Sequence, residues 1–268
     1  MTLLPGCNKK SDVDILKVMT FNIRFDNPRD SINAWPNRAE FFCRFLEEEE
    51  PDLIGMQEVL SNQYDYIDSV MTGYSSVGVG RTDGARMGEM NPVFFRKERF
   101  DLIRTKTFWL SDTPEVAGTK AWGADLPRIV TWVELSEKTT SEHFYFFNTH
   151  FAHDSDSARI LSSGLLLNRV DSIAAGFPFI VTGDLNMLIS SKGYEILTGP
   201  YESVPLFTDT YAISEKRPLG PAYTFNGFSE STSAGRIDYV FVRTGMEVLE
   251  HRTYIRKEHG VYISDHWP

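Results

Sequence analysis

The chain has 268 residues, 41% of them hydrophobic, which is enough for one sizeable core. Its formal net charge of −10, with no dense Lys/Arg run, argues against a protein that holds long nucleic acid mainly by neutralising phosphates, though not against nuclease chemistry. Two cysteines, Cys7 and Cys43, exclude a disulfide framework, and no apolar run is long enough to span a membrane.

The stretch Leu3-Leu4-Pro5-Gly6-Cys7, followed by polar residues 8–12, looks like the lipid-attachment site of a bacterial lipoprotein. Residues 1–12 are therefore expected to be a flexible tail, carrying a lipid anchor on Cys7 and placing the protein outside the cytoplasm. The charged start and apolar stretch of a signal peptide are missing, so a disordered tail on a cytoplasmic protein is the alternative. Beyond the tail nothing reads as a linker or repeat, which predicts a single catalytic domain over 13–268 and a monomer.

Ile15 to Ile23, rich in Val, Ile, Phe and Thr, reads as a strand. Asn37 to Glu48 carries Ala39, Phe42, Cys43, Phe45 and Leu46 at helical spacing and stops before Pro51. Cys43 on that stripe reads as a small core residue, not a reactive one. Asp52 to Val59 reads as a buried strand ending in Gln57-Glu58, with a helix following over Ser61 to Met71. Strands are expected over Tyr74–Gly80, Pro92–Phe100, Leu102–Leu110, Arg128–Leu135 and His143–Phe151. Asp156 to Ala175 is the clearest helix, with Ile160, Leu161, Leu165, Val170 and Ile173 on its apolar face. A short apolar run, Phe177 to Val181, and late strands over Arg236–Val242 and Glu247–Ile255 complete the pattern. Short polar turns such as Ser136 to Glu142 favour antiparallel hairpins over repeated βαβ units. A two-sheet sandwich with helices outside fits this order.

Polar residues fall at or in apolar strands with unusual frequency. Asn22 ends the first strand and Glu58 the second; His150 ends a third, and Asp184 and Asn186 follow Phe179-Ile180-Val181-Thr182-Gly183. Asp238 sits within Arg236 to Val242, and Asp265-His266 stands near the end. Period 2 points Asn148 and His150 the same way, and Asp184 and Asn186 too if that segment stays extended. It puts Asp238 on one face with Val240 and Val242, where a carboxylate needs a metal, a cation or several hydrogen bonds. A lone Asp after a strand is usually a cap; six such sites in one chain point to a shared active site. Carboxylate and amide oxygens suit Mg²⁺ or Mn²⁺, whereas Cys-rich or tightly spaced His motifs for Zn²⁺ are absent. Metal-binding carboxylates, His with Asp, and Asn with Arg supply what phosphate-ester cleavage needs: charge neutralisation, an activated water and help for the leaving group.

Six motifs, in order, carry a resemblance: Thr20-Phe21-Asn22, Gly55-Met56-Gln57-Glu58, Asn148-Thr149-His150, Gly183-Asp184-Leu185-Asn186, Arg236-Ile237-Asp238-Tyr239 and Ser264-Asp265-His266. Together they resemble the endonuclease/exonuclease/phosphatase superfamily, which includes DNase I, abasic-site endonucleases, inositol polyphosphate 5-phosphatases, sphingomyelinases and poly(A) deadenylases. The resemblance implies an α/β fold, a four-layer α/β/β/α sandwich of two mainly antiparallel sheets with outer helices. It implies Glu58 as main metal ligand beside Asn22, with Asp265 a further metal-side carboxylate. Asp184 and Asn186 are implied to handle the nucleophile and the scissile phosphate, with His266, oriented by Asp238, at the phosphate or the attacking water. His150 matches the second histidine of the DNase-like branch, Arg128 a phosphate-contacting arginine, and Glu89 the carboxylate that pairs with that histidine. The competing readings are a surface ion pair for Arg128 and a solvated loop charge for Glu89. Arg236 before Asp238 departs from the inositol 5-phosphatase pattern, and Val59-Leu60 after Glu58 departs from the abasic-site endonuclease pattern. The segments Asn22 to Asn27 and Phe108 to Pro114 look like a bacterial branch of unspecified substrate.

The expected activity is divalent-metal-dependent hydrolysis of a small or lipid-linked phosphate ester. An endo- or exonuclease is the alternative, with long nucleic acid not favoured by the charge. A non-catalytic binding module on the same fold is opposed by the intact Glu58, Asp184, Asp238 and His266. A zinc hydrolase is opposed because only His150 and His153 lie close in sequence, His153 reading as a surface or rim residue. Specificity is expected in the loops Asn27–Pro36, Gly80–Asn91, Ser111–Leu126 and Ser214–Gly227, in or near which lie Trp35, Trp109 and Trp122.

Overall fold

A computed structural model describes residues 15–230 and 235–268. The tail expected over 1–12, with Cys7, lies outside the described residues. Strand β1 (Val18–Asn22) pairs in parallel with β2 (Leu53–Gln57), and helix α1 (Trp35–Glu49) makes the crossover between them. α1 buries Trp35, Ala39, Phe42, Cys43, Phe45 and Leu46 and ends where Glu50 turns left-handed before Pro51. Helix α2 (Ser61–Val70) leads to the antiparallel strands β3 (Tyr74–Val77) and β4 (Val93–Arg96), giving a sheet of order β1-β2-β4-β3.

The second sheet begins with an antiparallel run of β5 (Phe100–Trp109), β6 (Ile129–Glu137) and β7 (His143–His150). Helix α3 (Asp156–Ala174), whose first turn is capped by the Ser155 side chain, crosses over to β8 (Phe179–Asp184), parallel to β7. Helix α4 (Lys192–Thr198), the short hairpin β9 (Pro200–Tyr201) and β10 (Val204–Pro205), strand β11 (Phe207–Asp209) and helix α5 (Thr210–Ile213) follow. Strand β12 (Asp238–Arg243) completes a six-stranded sheet of order β11-β12-β8-β7-β6-β5. A last small hairpin joins β13 (Lys257–Glu258) and β14 (Val261–Tyr262).

Three apolar clusters define the layers. Phe21, Ile54, Met56 and Phe94 pack against Phe42, Phe45 and Leu46 of α1 on the outer face of the first sheet. Phe147, Val181, Tyr239 and Phe241 pack against Leu166, Val170 and Leu197 on the outer face of the second. Leu53, Val93, Phe95, Val133, Phe146, Ile180 and Val242 fill the space between the sheets. The four-layer α/β/β/α sandwich is the one the family resemblance implied, and its two sheets with helices outside fit the residue pattern.

Several features differ from the residue pattern: α3 buries Leu166, Leu167 and Val170 and leaves Leu161 exposed, and β11 and α5 arise where the residues showed no period. Each sheet contains one parallel pair, because α1 and α3 are long enough to carry βαβ crossovers. Glu247 to Ile255 forms no strand: its carbonyls accept instead from a neighbouring loop, Glu215 N to Val248 O and Leu219 N to His251 O. Helix α4, too short to show an apolar period, was not foreseen in the sequence.

Between the sheets, polarity rises toward one rim. Along β7 the inward side chains run Phe146, Asn148, His150, and along β8 they run Ile180, Thr182, Asp184, with Phe146 opposite Ile180 and His150 opposite Asp184. Gly55 lets the sheets approach here, since a Cβ would lie 2.1 Å from Thr182 Oγ1 and 2.6 Å from Asn148 Oδ1. Gln57 Nε2 donates to Asn148 Oδ1 (2.6 Å), and Asn148 Nδ2 donates to Met56 O (2.7 Å) and Pro92 O (2.9 Å). This polar net ties the sheets together directly beneath the rim, with Gln57 Oε1 left buried without a partner.

Candidate active site

Asp184 is the hub of the rim. In the sheet it faces His150 on one side and Asp238 on the other. From the opposite sheet, Asn22 Nδ2 donates to Asp184 Oδ2 (2.9 Å) and to Glu58 Oε1 (3.1 Å), bridging the two carboxylates. Strand alternation alone would send Glu58 to the helix side with Met56. A left-handed backbone at Glu58 (φ 62°) breaks the alternation, and Glu58 Oε2 accepts from Phe25 N (3.1 Å). Asn186 also reaches the site by a turn, not by continued extension. Its φ is 49°, its N–H donates to Asp184 Oδ1 (2.9 Å), and its Nδ2 donates to His150 Nε2 (3.0 Å) and Phe151 O (3.1 Å).

His266 Nδ1 lies 2.8 Å from Asp238 Oδ2; since the carboxylate only accepts, Nδ1 carries the proton. His266 Nε2 then faces Asp184 Oδ2 at 3.7 Å. The 264–267 segment is pinned in place: Asn226 N donates to Asp265 O (2.7 Å), Trp267 N to Thr224 O (2.7 Å) and Ser264 Oγ to Asn22 O (2.7 Å). Asp265 Oδ2 lies 3.8 Å from Arg24 Nε, and Arg24 is otherwise held by Asp30.

On the other flank of Asp184, Arg128 is 5% exposed. Its Nη2 contacts His153 Nδ1 (3.0 Å), while its Nε and Nη1 are buried without a partner. Arg128 is thus no surface ion pair, and Glu89, also largely buried, is no solvated loop charge. The expected Glu89–His150 contact is long, 3.9 Å to Nδ1, because Glu89 Oε1 is engaged by Arg81 Nη2 at 2.8 Å. His153 is an exposed rim residue.

The electrostatics follow from burial and crowding. Burial, then repulsion by Asp238, pushes the Asp184 carboxyl up to about 7 against the pull of His266. Burial also raises Asp265, with the nearby charge of Glu58 adding to it. For His266, burial opposes ionisation, but Asp238 and Asp184 outweigh it and hold the imidazolium well above its ordinary range. Burial holds His150 well below its own, helped by Arg128 and Arg81. Glu58, Asp184, Asp238 and Asp265 therefore crowd one rim, faced by the His266 imidazolium and, at Asp265, by Arg24 at 3.8 Å. Asp184, Asp238 and His266 bring one donor atom each within 4.8 Å of one another. The hydrogen bond between His266 and Asp238 already uses that pair, so Glu58, Asn22 and Asp265 are the better holders of a cation. Their oxygen donors and unbalanced negative charge fit a hard divalent ion.

The endonuclease/exonuclease/phosphatase family model matches residues 19–266. The chain belongs to this family. A family member of solved structure from Bacteroides vulgatus is 35% identical with a TM-score of 0.89, covering 94% of this chain and 95% of that one. A mannosyl-6-phosphatase from Bacteroides thetaiotaomicron is 30% identical with a TM-score of 0.86, over 94% and 97% of the two chains. An uncharacterized protein of Acanthamoeba polyphaga mimivirus is 28% identical over 94% of this chain and 98% of its own length. The catalytic domain of human nocturnin, 18% identical with a TM-score of 0.70 over 94% and 90% of the two chains, shares the fold. Members of the family are hydrolases of phosphate esters.

Within this family member, the rim brings together Asn22, Glu58, His150, Asp184, Asn186, Asp238, Asp265 and His266, with Arg128 and Glu89 on one flank. Sequence reasoning passed over Arg38 and Arg81. Arg38 is fully buried and donates to four carbonyls: Asn33 (2.8 Å), Ile23 (2.5 Å), Ile263 (3.1 Å) and Arg24 (2.7 Å). It thereby clamps the exit of β1 to the segment that carries Asp265 and His266. Its signal was position: Arg38 lies four residues before Phe42 on the apolar stripe of α1. Arg81 gave no signal beyond following Gly80 in a glycine-rich loop.

Proposed function

We propose that the protein is a divalent-metal-dependent hydrolase of small phosphate esters, with a sugar phosphate the first candidate. The observation that carries this is one rim holding a His266–Asp238 pair, the Asp184 and Glu58 carboxylates bridged by Asn22, and two unpartnered donors on buried Arg128. Asp184, central in the rim and beside Asn186 and His266, takes the proton of the attacking water. Asn186 orients that water and the scissile phosphate. His266, protonated and held by Asp238, donates its Nε2–H to a non-bridging phosphate oxygen, and Arg128 holds a second; as the water oxygen bonds to phosphorus, the P–O bond to the alcohol breaks and the leaving oxygen takes a proton from solvent water. Neutral His150 fixes Asn186 by accepting at Nε2. Glu58, Asn22 and Asp265 would hold Mg²⁺ or Mn²⁺, which neutralises phosphate charge when bound. The sugar phosphate comes first because a relative at 30% identity is a mannosyl-6-phosphatase.

The test is a turnover panel of sugar phosphates, inositol phosphates, phospholipids, bis(p-nitrophenyl) phosphate, oligonucleotides and plasmid DNA, each with Mg²⁺, Mn²⁺ or excess EDTA. Metal-dependent turnover of a small ester, well above that of plasmid DNA, is expected. Full activity in EDTA, or fastest turnover on long DNA, would overturn the reading.

A further inference from the structure

Arg81 and Glu89 close the neck of the loop between β3 and β4. Arg81 N donates to Glu89 O (3.0 Å), Arg81 Nη2 to Glu89 Oε1 (2.8 Å), and Trp109 Nε1 to Arg81 O (2.7 Å). Gly88 makes this fold-back possible. Its φ is +82°, and a Cβ there would lie 2.4 Å from Thr82 Oγ1 and 3.2 Å from Arg81 Cγ. The ion pair is therefore built into the loop, with Arg81 only 7% exposed.

Two other groups compete for Glu89 and neither has it. His150 Nδ1 lies 3.9 Å from Glu89 Oε2 and is buried without a partner. Arg128 is close enough for its charge to act on Glu89, yet its Nε and Nη1 are also buried and unpartnered. A buried guanidinium without a counter-ion is costly, and Glu89 is the obvious carboxylate to supply one. Arg81 holds that carboxylate instead.

We infer that Arg81 is a positioning residue that keeps Glu89 away from Arg128 and so leaves the Arg128 guanidinium open to a phosphate. Arg81 and Glu89 together are neutral, so the charge of Arg128 remains for the ligand. Without Arg81, the nearest cationic groups for Glu89 are Arg128 and, once protonated, His150. A contact with Arg128 would occupy the phosphate donors; a contact with His150 would build a histidine–carboxylate dyad and draw His150 off Asn186. The inference rests on the reading that phosphate binds at Arg128.

The experiment is calorimetric titration of inorganic phosphate into the Mg²⁺-containing protein, which needs no turnover. Arg81→Met is expected to weaken phosphate binding by roughly tenfold or more, and Glu89→Gln by less than about threefold. The double variant Arg81→Met/Glu89→Gln is expected to return to within about threefold of wild type, because no carboxylate is left to restrain. Arg81→Lys, which keeps a cation for Glu89, should also bind nearly normally. Failure of the double variant to recover would mean that Arg81 contacts the anion itself, and would overturn the inference. If Arg81→Met does not fold, the double variant, freed of its unpaired buried carboxylate, carries the same decision. Arg128→Met separates the two levels: unchanged phosphate affinity there removes the reading of the site. A large loss in Arg128→Met with none in Arg81→Met removes only the role of Arg81.

Discussion

Replacing Asp184 by Asn isolates the carboxylate under the greatest charge stress. Burial and Asp238 move this carboxyl from 3.8 to about 7. Its folded pKa lies above its unfolded one, so the native state binds more protons between those values. The stabilisation is complete below the unfolded pKa and is lost as pH rises through about 7, a span worth up to about 4 kcal/mol. Asparagine cannot ionise, so this dependence disappears in the variant. Asparagine also has a single acceptor oxygen, whereas Asp184 accepts from Asn186 N through Oδ1 and from Asn22 Nδ2 through Oδ2. One donor is left unsatisfied, at a cost of about 1–3 kcal/mol. In EDTA, Asp184→Asn should therefore be less stable than wild type by about 1–3 kcal/mol at pH 4 and more stable by a similar amount at pH 8. Urea unfolding of both proteins at several pH values measures the difference; titrations remote from the site cancel, while His266 loses part of its upward shift in the variant. Saturating Mg²⁺ at pH 8 should raise wild type more than the variant, while turnover of the variant falls roughly 10²–10⁴-fold. A stability difference that does not change between pH 4 and 8 would refute the electrostatic account of this site.

His266→Ala should remove roughly 10²–10⁴-fold of turnover while Mg²⁺ affinity stays near wild type. Asp238→Asn should do similar harm, and the double variant little more, since the pair acts as a unit; losses that add in single-turnover rates would show two independent roles. Glu58→Gln keeps the shape and loses the charge, so calorimetry should show Mg²⁺ binding weakened by roughly tenfold or more with the fold intact; unchanged affinity rules Glu58 out as a main ligand. Arg38→Met strips donors from four buried or partly buried carbonyls and should destabilise by about 2–4 kcal/mol in urea unfolding; a change below about 1 kcal/mol would mean water replaces the clamp.

The sequence by itself determined the layers and the chemistry. Helical spacing over Ala39 to Leu46, with short strands after it, is enough for a sheet with an outer helix, because burial demands a matching period; α3 was legible as a helix but its buried face was not, since Leu166 and Leu167 turn inward while Leu161 is exposed. The ordered motifs from Asn22 to His266 were legible because each places a polar residue where a strand wants an apolar one, and strand alternation turned Asn148, His150 and Asp238 toward the layer between the sheets. The left-handed turns were hardly legible: Glu58 and Asn186 reach the rim only because their backbones break the alternation, and while asparagine tolerates that region, nothing in the residue type announced it at Glu58. Nor were pairings set by distant chain segments. Glu247 to Ile255 has strand-like composition but meets a loop, so no ladder forms. Glu89 is held by Arg81 and not His150, and Arg128 keeps two donors free, because a folded loop decides which charges touch. Charge type is written in the residues. Which opposite charge lies within 3 Å is set by the backbone that carries them, and only the tertiary structure supplies it.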